Sequence, residues 1–167
     1  MSYLTAILNS SHKKQHFNCG IKILDDYLQM QAKQDMKRKL SACFILADDS
    51  NTVKGFYTLS SAAIQKDLLP RDIIKKLPPS YEDLPATLLG RLAVHNSYKG
   101  QRLGEMILID ALKRSYDASL SSVGSMAVIV DPIDDGAVAF YTKYGFILLP
   151  DSGKMFITMD TISQLFK

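Results

Sequence analysis

Residues 88–112 read LLGRLAVHNSYKGQRLGEMILIDAL and contain three successive patterns. The opening residues are mostly apolar, which indicates a buried strand that ends at Val94. Residues 95–102 are polar and include a glycine, as is typical of a turn. Helical spacing of apolar residues then predicts a helix from Leu103 onward. Its expected apolar face consists of Leu103, Met106, Ile107, Leu108, Ala111 and Leu112.

The turn before this helix has features of an anion site. The first turn of a helix carries unpaired N–H groups and a positive dipole end, and both attract phosphate. Gly100 and Gly104 lack a Cβ and so allow a close approach to the backbone, while Lys99 and Arg102 add positive charge. An ordinary strand-to-helix connection is the alternative. The chain contains neither G-x-x-x-x-G-K-[ST] nor G-x-G-x-x-G, so two common nucleotide-binding loops are not supported.

The composition predicts one globular domain over residues 1–167. Hydrophobic residues make up 47% and charged residues 22%, which is ordinary for a globular chain. The net charge of +3 does not by itself indicate nucleic acid. Cys19 and Cys43 form no C-x-x-C pair, so we expect buried free thiols and no metal site. The N-terminus does not resemble a signal peptide, and no apolar run reaches the roughly 20 residues of a membrane span. We therefore expect a cytoplasmic protein without a membrane partner.

The rest of the chain predicts a mixed α/β fold in which an early hairpin interrupts the alternation of strands and helices. Strands are expected at residues 3–8, 42–47, 53–64 and 126–130 and in a terminal hairpin of residues 146–149 and 155–159. Helices are expected at residues 21–39, 68–77, 136–143 and 161–167, with a small-residue connection at 117–124. Asp134 or Asp135 can cap the helix that Gly145 terminates.

The end of the first predicted helix is basic. Its cations are Lys33, Lys37, Arg38 and Lys39. Lys33 and Lys37 are one turn apart and share a face. The group is either a solvated face that also suits the helix C-terminus or a contact for RNA phosphates. Arg71, Lys75 and Lys76 form a second basic group on the next predicted helix.

Two motifs resemble the GCN5-related N-acetyltransferase (GNAT) family. The run from Leu92 to Gly104 is similar to its acyl-CoA motif, [QR]-x-x-G-x-[GA] after the fourth strand, with Lys99 and Arg102 as departures. The segment AFYTKYGF, residues 139–146, is similar to the segment after the fifth strand. The resemblance implies a mostly antiparallel mixed sheet with helices on both faces, and acetyl-CoA as co-substrate. The cofactor residues implied are Leu92, Ala93, Val94, Lys99, Gly100, Gln101, Arg102, Leu103, Gly104, Glu105, Phe140 and Tyr144.

The same resemblance implies that Tyr141 is the general acid. A primary amine attacks the thioester, and the departing thiolate must be protonated. A phenol with a reference pKa near 10 can donate that proton. His95, at the end of the central strand, is a candidate base, although a solvated loop histidine is the simpler interpretation. A substrate amine of low pKa needs no base.

A narrower resemblance links the chain to acetyltransferase toxins of type II toxin–antitoxin pairs. It depends on residues 17–20, 24–28 and 84–94. It implies acetylation of the α-amine of aminoacyl-tRNA, a block of translation and a ribbon-helix-helix antitoxin. A homodimer is one option for the oligomeric state. The alternatives are a GNAT enzyme for a small amine or a protein, or a catalytically weak acyl-CoA- or antitoxin-binding module, which Arg102 motivates.

Overall fold

In the computed structural model, which describes residues 2–167, seven strands form one sheet in the order β1-β2-β3-β4-β5-β7-β6. The strands are β1 (Ala6–Ile7), β2 (Ala42–Ala47), β3 (Val53–Gln65), β4 (Asp83–Val94), β5 (Ala127–Val130), β6 (Ile147–Leu148) and β7 (Met155–Thr158). Pairing is antiparallel between β1 and β2, β2 and β3, β5 and β7, and β6 and β7. β4 and β5 run parallel, with Thr87 opposite Val128 and Leu88 opposite Ile129. The predicted mixed, mostly antiparallel sheet is confirmed.

Five of the helices in residues 2–167 lie between strands along the chain, and the last follows β7. The helices are α1 (Lys22–Asp26), α2 (Ala32–Lys37), α3 (Arg71–Ile74), α4 (Leu103–Ser121), α5 (Asp135–Lys143) and α6 (Met159–Gln164). A π-helical turn, Tyr27–Gln31, joins α1 to α2. Three-ten turns occur at Lys66–Leu68 and Asn96–Tyr98.

The chain divides into two compact units, each with its own hydrophobic core. The first unit runs to Ser60 and resumes at Leu89–Arg114, and the second comprises Ser61–Leu88 and Ser115–Lys167. The first core includes Phe17, Leu28, Cys43, Ile45, Phe56 and Ala93. The second core includes Ile64, Leu84, Ala86, Ala127, Ile129 and Phe156. One domain over residues 1–167 stays a prediction.

A buried carboxylate connects three elements of the first unit. Asp110, on α4, accepts hydrogen bonds from the Leu4 N–H at 2.7 Å, the Thr5 hydroxyl at 2.6 Å and the Tyr57 hydroxyl at 2.8 Å. Arg114, one turn later, donates to the Tyr57 hydroxyl at 2.9 Å and to the Thr5 carbonyl at 2.8 Å. Burial raises the pKa of Tyr57, and the hydrogen bond to Asp110 adds to this against the opposing hydrogen bond with Thr5. The N-terminal segment and β3 are thereby fixed to α4.

Both caps of α5 follow the sequence prediction. Asp134, not Asp135, is the N-cap, and its carboxylate accepts from the Ala137 N–H at 2.7 Å. Gly145 has a φ of +99°, where a side chain would be strained. The Gly145 N–H donates to the Thr142 carbonyl and the Phe146 N–H to the Tyr141 carbonyl, each at 3.1 Å. These two bonds form a Schellman motif, which ends the helix.

Several predicted boundaries were wrong. The first strand is only Ala6–Ile7 rather than residues 3–8, because the Leu4 N–H bonds to Asp110 and the Thr5 carbonyl to Arg114 instead of to a neighbouring strand. The connection predicted at 117–124 is helical as far as Ser121, and the hydroxyls of Ser119 and Ser121 donate to the carbonyls of Tyr116 and Asp117 within the helix. Met106 is 40% exposed and lies off the predicted apolar face.

The other differences affect short helices. The helix predicted at residues 68–77 is reduced to Arg71–Ile74 after a three-ten turn, and the helix predicted at 161–167 starts earlier as Met159–Gln164. The Thr158 hydroxyl accepts from the Thr161 N–H at 3.2 Å, so the N-cap lies before the predicted start. No helix within residues 2–167 is both long and apolar enough to cross a membrane.

Replacing Asp110 with alanine should strongly destabilise the fold. The change leaves the donors of Leu4, Thr5 and Tyr57 without their acceptor, and breaking such a buried charged network costs roughly 3–5 kcal/mol. Denaturant unfolding measures the loss. Asp49→Ala, at an exposed turn position, is the matched control and should stay within about 0.5 kcal/mol of the parent. Equal stability of the two variants would contradict a central role for Asp110.

Candidate active site

In the first unit, the segment after β4 turns sharply at His95. The His95 N–H donates to the Lys54 carbonyl at 2.8 Å, which keeps it beside β3. Its Nδ1 accepts from the Ser97 N–H at 3.0 Å and so caps the three-ten turn. The ring meets Phe17 edge to face, with the centroids 5.8 Å apart. His95 thus has a structural function, whereas its predicted role as a base stays untested.

Lys99 connects this turn to an earlier loop. Its ammonium donates to the Cys19 carbonyl at 2.6 Å, and the Asn96 N–H donates to the Asn18 carbonyl at 2.8 Å. Gly20 has a φ of +90°, and a Cβ there would lie 3.4 Å from the Asn96 side-chain oxygen. The sequence suggested a phosphate contact for Lys99. In the structure its charge holds two loops together.

Two residues of the turn have left-handed backbone conformations. Gly100 has a φ of +82°, and a Cβ built there would find no atom within 4 Å. Arg102, at a φ of +61°, adopts a conformation that glycine would hold with less strain. Gln101, Gly100 and Arg102 are all exposed. The backbone of the turn is therefore open to a ligand, and the arginine that departs from the family motif occupies a glycine-like conformation.

The start of α4 offers free hydrogen-bond donors. The Met106 N–H donates to the Arg102 carbonyl at 3.1 Å. The preceding N–H groups of Leu103, Gly104 and Glu105 have no carbonyl four residues earlier within the helix. Leu103 is buried and anchors this end. The helix therefore presents N–H groups and its positive dipole end at the open turn, as an anion site requires.

The strand before the turn contributes a partly covered edge. Ala93 is buried in the first core, whereas Leu92 and Val94 are half-buried. A Cβ on Gly55 would approach the Ala93 carbonyl to 3.0 Å, so β3 needs glycine at that position. The sequence analysis did not identify Gly55, because its role depends on a residue 38 positions away in the chain.

In the second unit, Tyr141 lies on α5 and is 8% exposed. Its ring lies 5.3 Å from Phe140 and 5.1 Å from Phe146, measured between centroids. Burial raises the pKa of Tyr141 to about 12. No protein group among residues 2–167 forms a hydrogen bond with its hydroxyl. Tyr141 therefore stays protonated at neutral pH and keeps its proton available.

The other two predicted aromatic residues pack beside Tyr141. The Phe140 and Tyr144 rings are 5.2 Å apart and inclined at 64°. Both are half-buried, and Tyr144 is the C-cap that precedes Gly145. The structure thus gathers Phe140, Tyr141 and Tyr144 into one aromatic cluster at the end of α5.

The structure separates the predicted basic group. Lys33 lies on α2 and lines a small cavity with Lys14 and His12. Arg38 lines a different groove, with Tyr27 and Asp35. Lys37 is exposed on α2, and Lys39 follows the helix with a φ of +63°. Sequence reasoning missed Lys14 and His12, and their closeness to Lys33 depends on the fold alone.

The family membership follows from the fold, the open turn and a direct comparison. Residues 8–146 match the model of the acetyltransferase (GNAT) family, so the chain belongs to that family. The predicted resemblance is confirmed.

Individual relatives are toxins. The chain is 34% identical over 134 residues to a tRNA-acetylating toxin of Mycobacterium tuberculosis, covering 80% of this chain and 78% of the relative. A crystal structure of a tyrosine-to-phenylalanine mutant of KacT superimposes with a TM-score of 0.89, at 30% identity over 97% of this chain and 98% of KacT. AtaT complexed with acetyl-methionyl-tRNAfMet gives a TM-score of 0.89, at 28% identity over 99% of this chain and all (100%) of AtaT.

Two further structures contain other partners. AtaTR bound with AcCoA has a TM-score of 0.84, at 27% identity over 98% of this chain and 97% of that chain. A mutant AtaT bound to the C-terminus of the antitoxin AtaR has a TM-score of 0.80, at 25% identity over 98% of this chain and 97% of that chain.

Substitutions at the two left-handed positions of the turn should differ in their effect on stability. Gly100→Val places a branched side chain at a φ of +82° and should cost about 1–2 kcal/mol of unfolding free energy. Arg102→Gly relieves similar strain at a φ of +61° but makes the unfolded chain more flexible, so stability should stay within about 1 kcal/mol. Denaturant unfolding compares them. Equal losses would show that the conformation of Arg102 is not strained.

Proposed function

We propose that this chain is an acetyl-CoA-dependent N-acetyltransferase that acetylates the α-amine of aminoacyl-tRNA and thereby blocks translation. The observation that carries the proposal is the similarity, over 99% of the chain, to a toxin solved with acetyl-methionyl-tRNA. The likeness to the mycobacterial tRNA-acetylating toxin supports the same substrate. The membership of the GNAT family supports the reaction type.

The turn between β4 and α4 fits the acetyl-CoA pyrophosphate. Gly100 leaves open space, and the N–H groups of Leu103, Gly104 and Glu105 are free to donate. Six further residues complete the proposed site: Leu92, Ala93, Val94, Lys99, Gln101 and Arg102. Lys99 contributes by holding the turn in place through its hydrogen bond to the Cys19 carbonyl. Bound acetyl-CoA supplies a thioester that an amine attacks and a thiolate that needs a proton. The exposed Arg102 side chain can pair with a phosphate, which compensates for the missing glycine.

Tyr141 donates that proton in the proposed mechanism, from an aromatic surface that includes Phe140 and Tyr144. A phenol with a pKa of about 12 is a weak donor to a solvated thiolate, whose acid has a pKa near 8.5. Burial raises thiol pKa values as well, as it does to about 11 for Cys19 and about 12 for Cys43 in this chain. Exclusion of water from the site would raise the pKa of the departing thiol in the same direction, towards that of the Tyr141 phenol.

The substrate amine needs little help. An α-amino group has a pKa of about 7.7–8.0, so an appreciable fraction is neutral near neutral pH. This agrees with the capping role of His95, whose Nδ1 already accepts from Ser97. The proposal therefore assigns no general base to the protein.

The basic residues and the partners belong to the same proposal. Lys33, Lys37, Arg38 and Lys39 supply charge for the tRNA backbone. An antitoxin, by analogy with the AtaT complex with the C-terminus of AtaR, is the protein partner that we propose. A tRNA substrate also agrees with the predicted cytoplasmic location.

The activity is tested by measuring CoA release from acetyl-CoA with and without aminoacyl-tRNA. Release should require the charged tRNA, and deacylated tRNA should give none because the α-amine is missing. A panel of small amines and basic peptides tests the alternative substrates. Release with those compounds but not with aminoacyl-tRNA would overturn the proposed substrate while leaving the acetyltransferase assignment intact.

Replacing Tyr141 with phenylalanine should lower kcat by about 10²–10⁴-fold, because a proton donor is lost. The affinity for acetyl-CoA should hardly change, since the ring and its contacts remain. Single-turnover kinetics and calorimetry separate the two effects. Tyr81→Phe, at an exposed position, is the control and should behave as the parent. A Tyr141→Phe enzyme with parental kcat would make Tyr141 purely structural.

The alkaline side of the pH profile should be flat. A group whose pKa is raised holds its proton to higher pH, so Tyr141, with a pKa of about 12, remains a donor well above pH 10. The rate with bound aminoacyl-tRNA should rise as the α-amine loses its proton and then stay level to about pH 10, the reference pKa of tyrosine. A decline with an apparent pKa below about 10 would contradict the role of the buried phenol.

A further inference from the structure

A small cavity in the first unit has a basic lining that the proposed chemistry does not use. Its volume is about 200 Å³, and its polar wall consists of Asn9, Ser10, His12, Lys14 and Lys33. The cavity lies between the segment after β1 and the face of α2 that carries Lys33. Drug-sized ligands occupy about 300–1,000 Å³, whereas a water molecule takes about 30 Å³ of the liquid. The cavity is therefore sized for one charged group rather than for a whole co-substrate.

The charges in this cavity are uncompensated. Burial lowers the pKa of Lys14 against an opposing influence of Cys43, and the nearby ammonium of Lys33, a smaller influence than Cys43, lowers it further. Burial also lowers the pKa of His12. No carboxylate among residues 2–167 forms an ion pair with any of the three. Two neighbouring cations without a counter-charge repel each other, and an anion between them would remove that repulsion.

The π-helical turn holds Lys14 in place. The Lys14 ammonium donates to the carbonyl of Leu28, a residue of that turn, at 3.1 Å. One N–H of the ammonium is thereby used, and others remain available because a lysine has three. His12 accepts from the Asn9 N–H through Nδ1 at 3.1 Å, so its Nε2 carries the proton in the neutral ring. Most of the polar groups in the cavity are therefore hydrogen-bond donors, as phosphate binding needs. They belong to Lys14, Lys33, His12 and Ser10.

We propose that this cavity binds one backbone phosphate of the tRNA substrate. The assignment rests on the proposed function and extends it to a particular subsite. A polyanion is favoured over a free phosphate ion because further exposed cations follow Lys33 outside the cavity, at Lys37 on α2 and at Arg38 and Lys39 directly after it. The neighbouring phosphates of an RNA strand would meet those cations, whereas a single ion would not.

The test compares Lys33→Ala with Lys13→Ala in the full-length chain. Lys13 is exposed, lies next to Lys14 in the chain and does not line the cavity. Replacing Lys13 with alanine therefore removes the same charge from a nearby position outside the cavity. Binding of deacylated tRNA is measured from 50 to 200 mM salt. Loss of one phosphate contact should reduce the slope of log affinity against log salt by roughly 0.7–0.9 for Lys33→Ala. Over that range the parent should lose about threefold more affinity than the variant.

The slope for Lys13→Ala should equal that of the parent, and both variants should unfold at the parental temperature. Equal slopes for Lys33→Ala and the parent would overturn the proposal. Titration of the parent with inorganic phosphate, followed at the His12 ring by NMR, identifies a small-ion site. A phosphate response that requires Lys33, together with an unchanged tRNA slope, would overturn the RNA assignment.

The same measurements separate this subsite from the activity. If the slope falls for Lys33→Ala but the parent releases no CoA with aminoacyl-tRNA, the subsite is supported and the proposed reaction is overturned. Normal CoA release by the parent, together with an unchanged slope for Lys33→Ala, would support the proposed reaction and overturn the subsite. The affinity for acetyl-CoA should be the same in both variants and the parent, because its proposed site is the turn at Gly100 and not the cavity.

Discussion

The buried carboxylate of Asp110 is the interaction on which the first unit depends. It accepts from Leu4, Thr5 and Tyr57, and Arg114 completes the network from the next turn of the helix. A buried charge is tolerated only when its hydrogen bonds are made, so the N-terminal segment cannot slide along α4 without leaving donors unpaired. The first turn of α4 lies about 10 Å away along the same helix, at 1.5 Å per residue. Fixing the helix therefore also fixes the N–H groups proposed to hold pyrophosphate.

The turn at Gly100 shows how the chain uses a motif that departs from the family pattern. Arg102 stands where the family has glycine, and its φ of +61° is the conformation that glycine would supply. The open backbone at the turn is thus retained at the cost of local strain, which functional sites commonly tolerate. Lys99 departs differently, since its ammonium stabilises the Cys19 carbonyl instead of facing a ligand. A motif position predicts backbone shape more reliably than it predicts what a long side chain will contact.

Sequence reasoning found the candidate cofactor site and the catalytic candidate Tyr141 because both occupy local patterns. The strand–turn–helix at residues 88–112 and the capped helix that carries Tyr141 are defined by residues close together in the chain. The basic group was less well predicted. Lys33 and Lys37 are one turn apart, yet only Lys33 lines the cavity with His12 and Lys14. The π-helical turn whose Leu28 carbonyl accepts from Lys14 could not be predicted from the spacing of apolar residues. Leu24, Leu28 and Ala32 are all buried, as an ordinary α-helix also predicts.

By itself the sequence determined the order of the elements, the caps of α5, the burial of both cysteines and the resemblance to acetyltransferases. Each of these depends on short-range spacing or on residues that directly follow one another. Only the tertiary structure decided the contacts of Asp110, the approach of Gly55 to Ala93 and the cavity at Lys14. These contacts join residues far apart in the chain, where periodicity carries no information about distance. The cavity at Lys14 also depends on long charged side chains, whose partners are set by whichever unpaired groups the packed backbone leaves within reach.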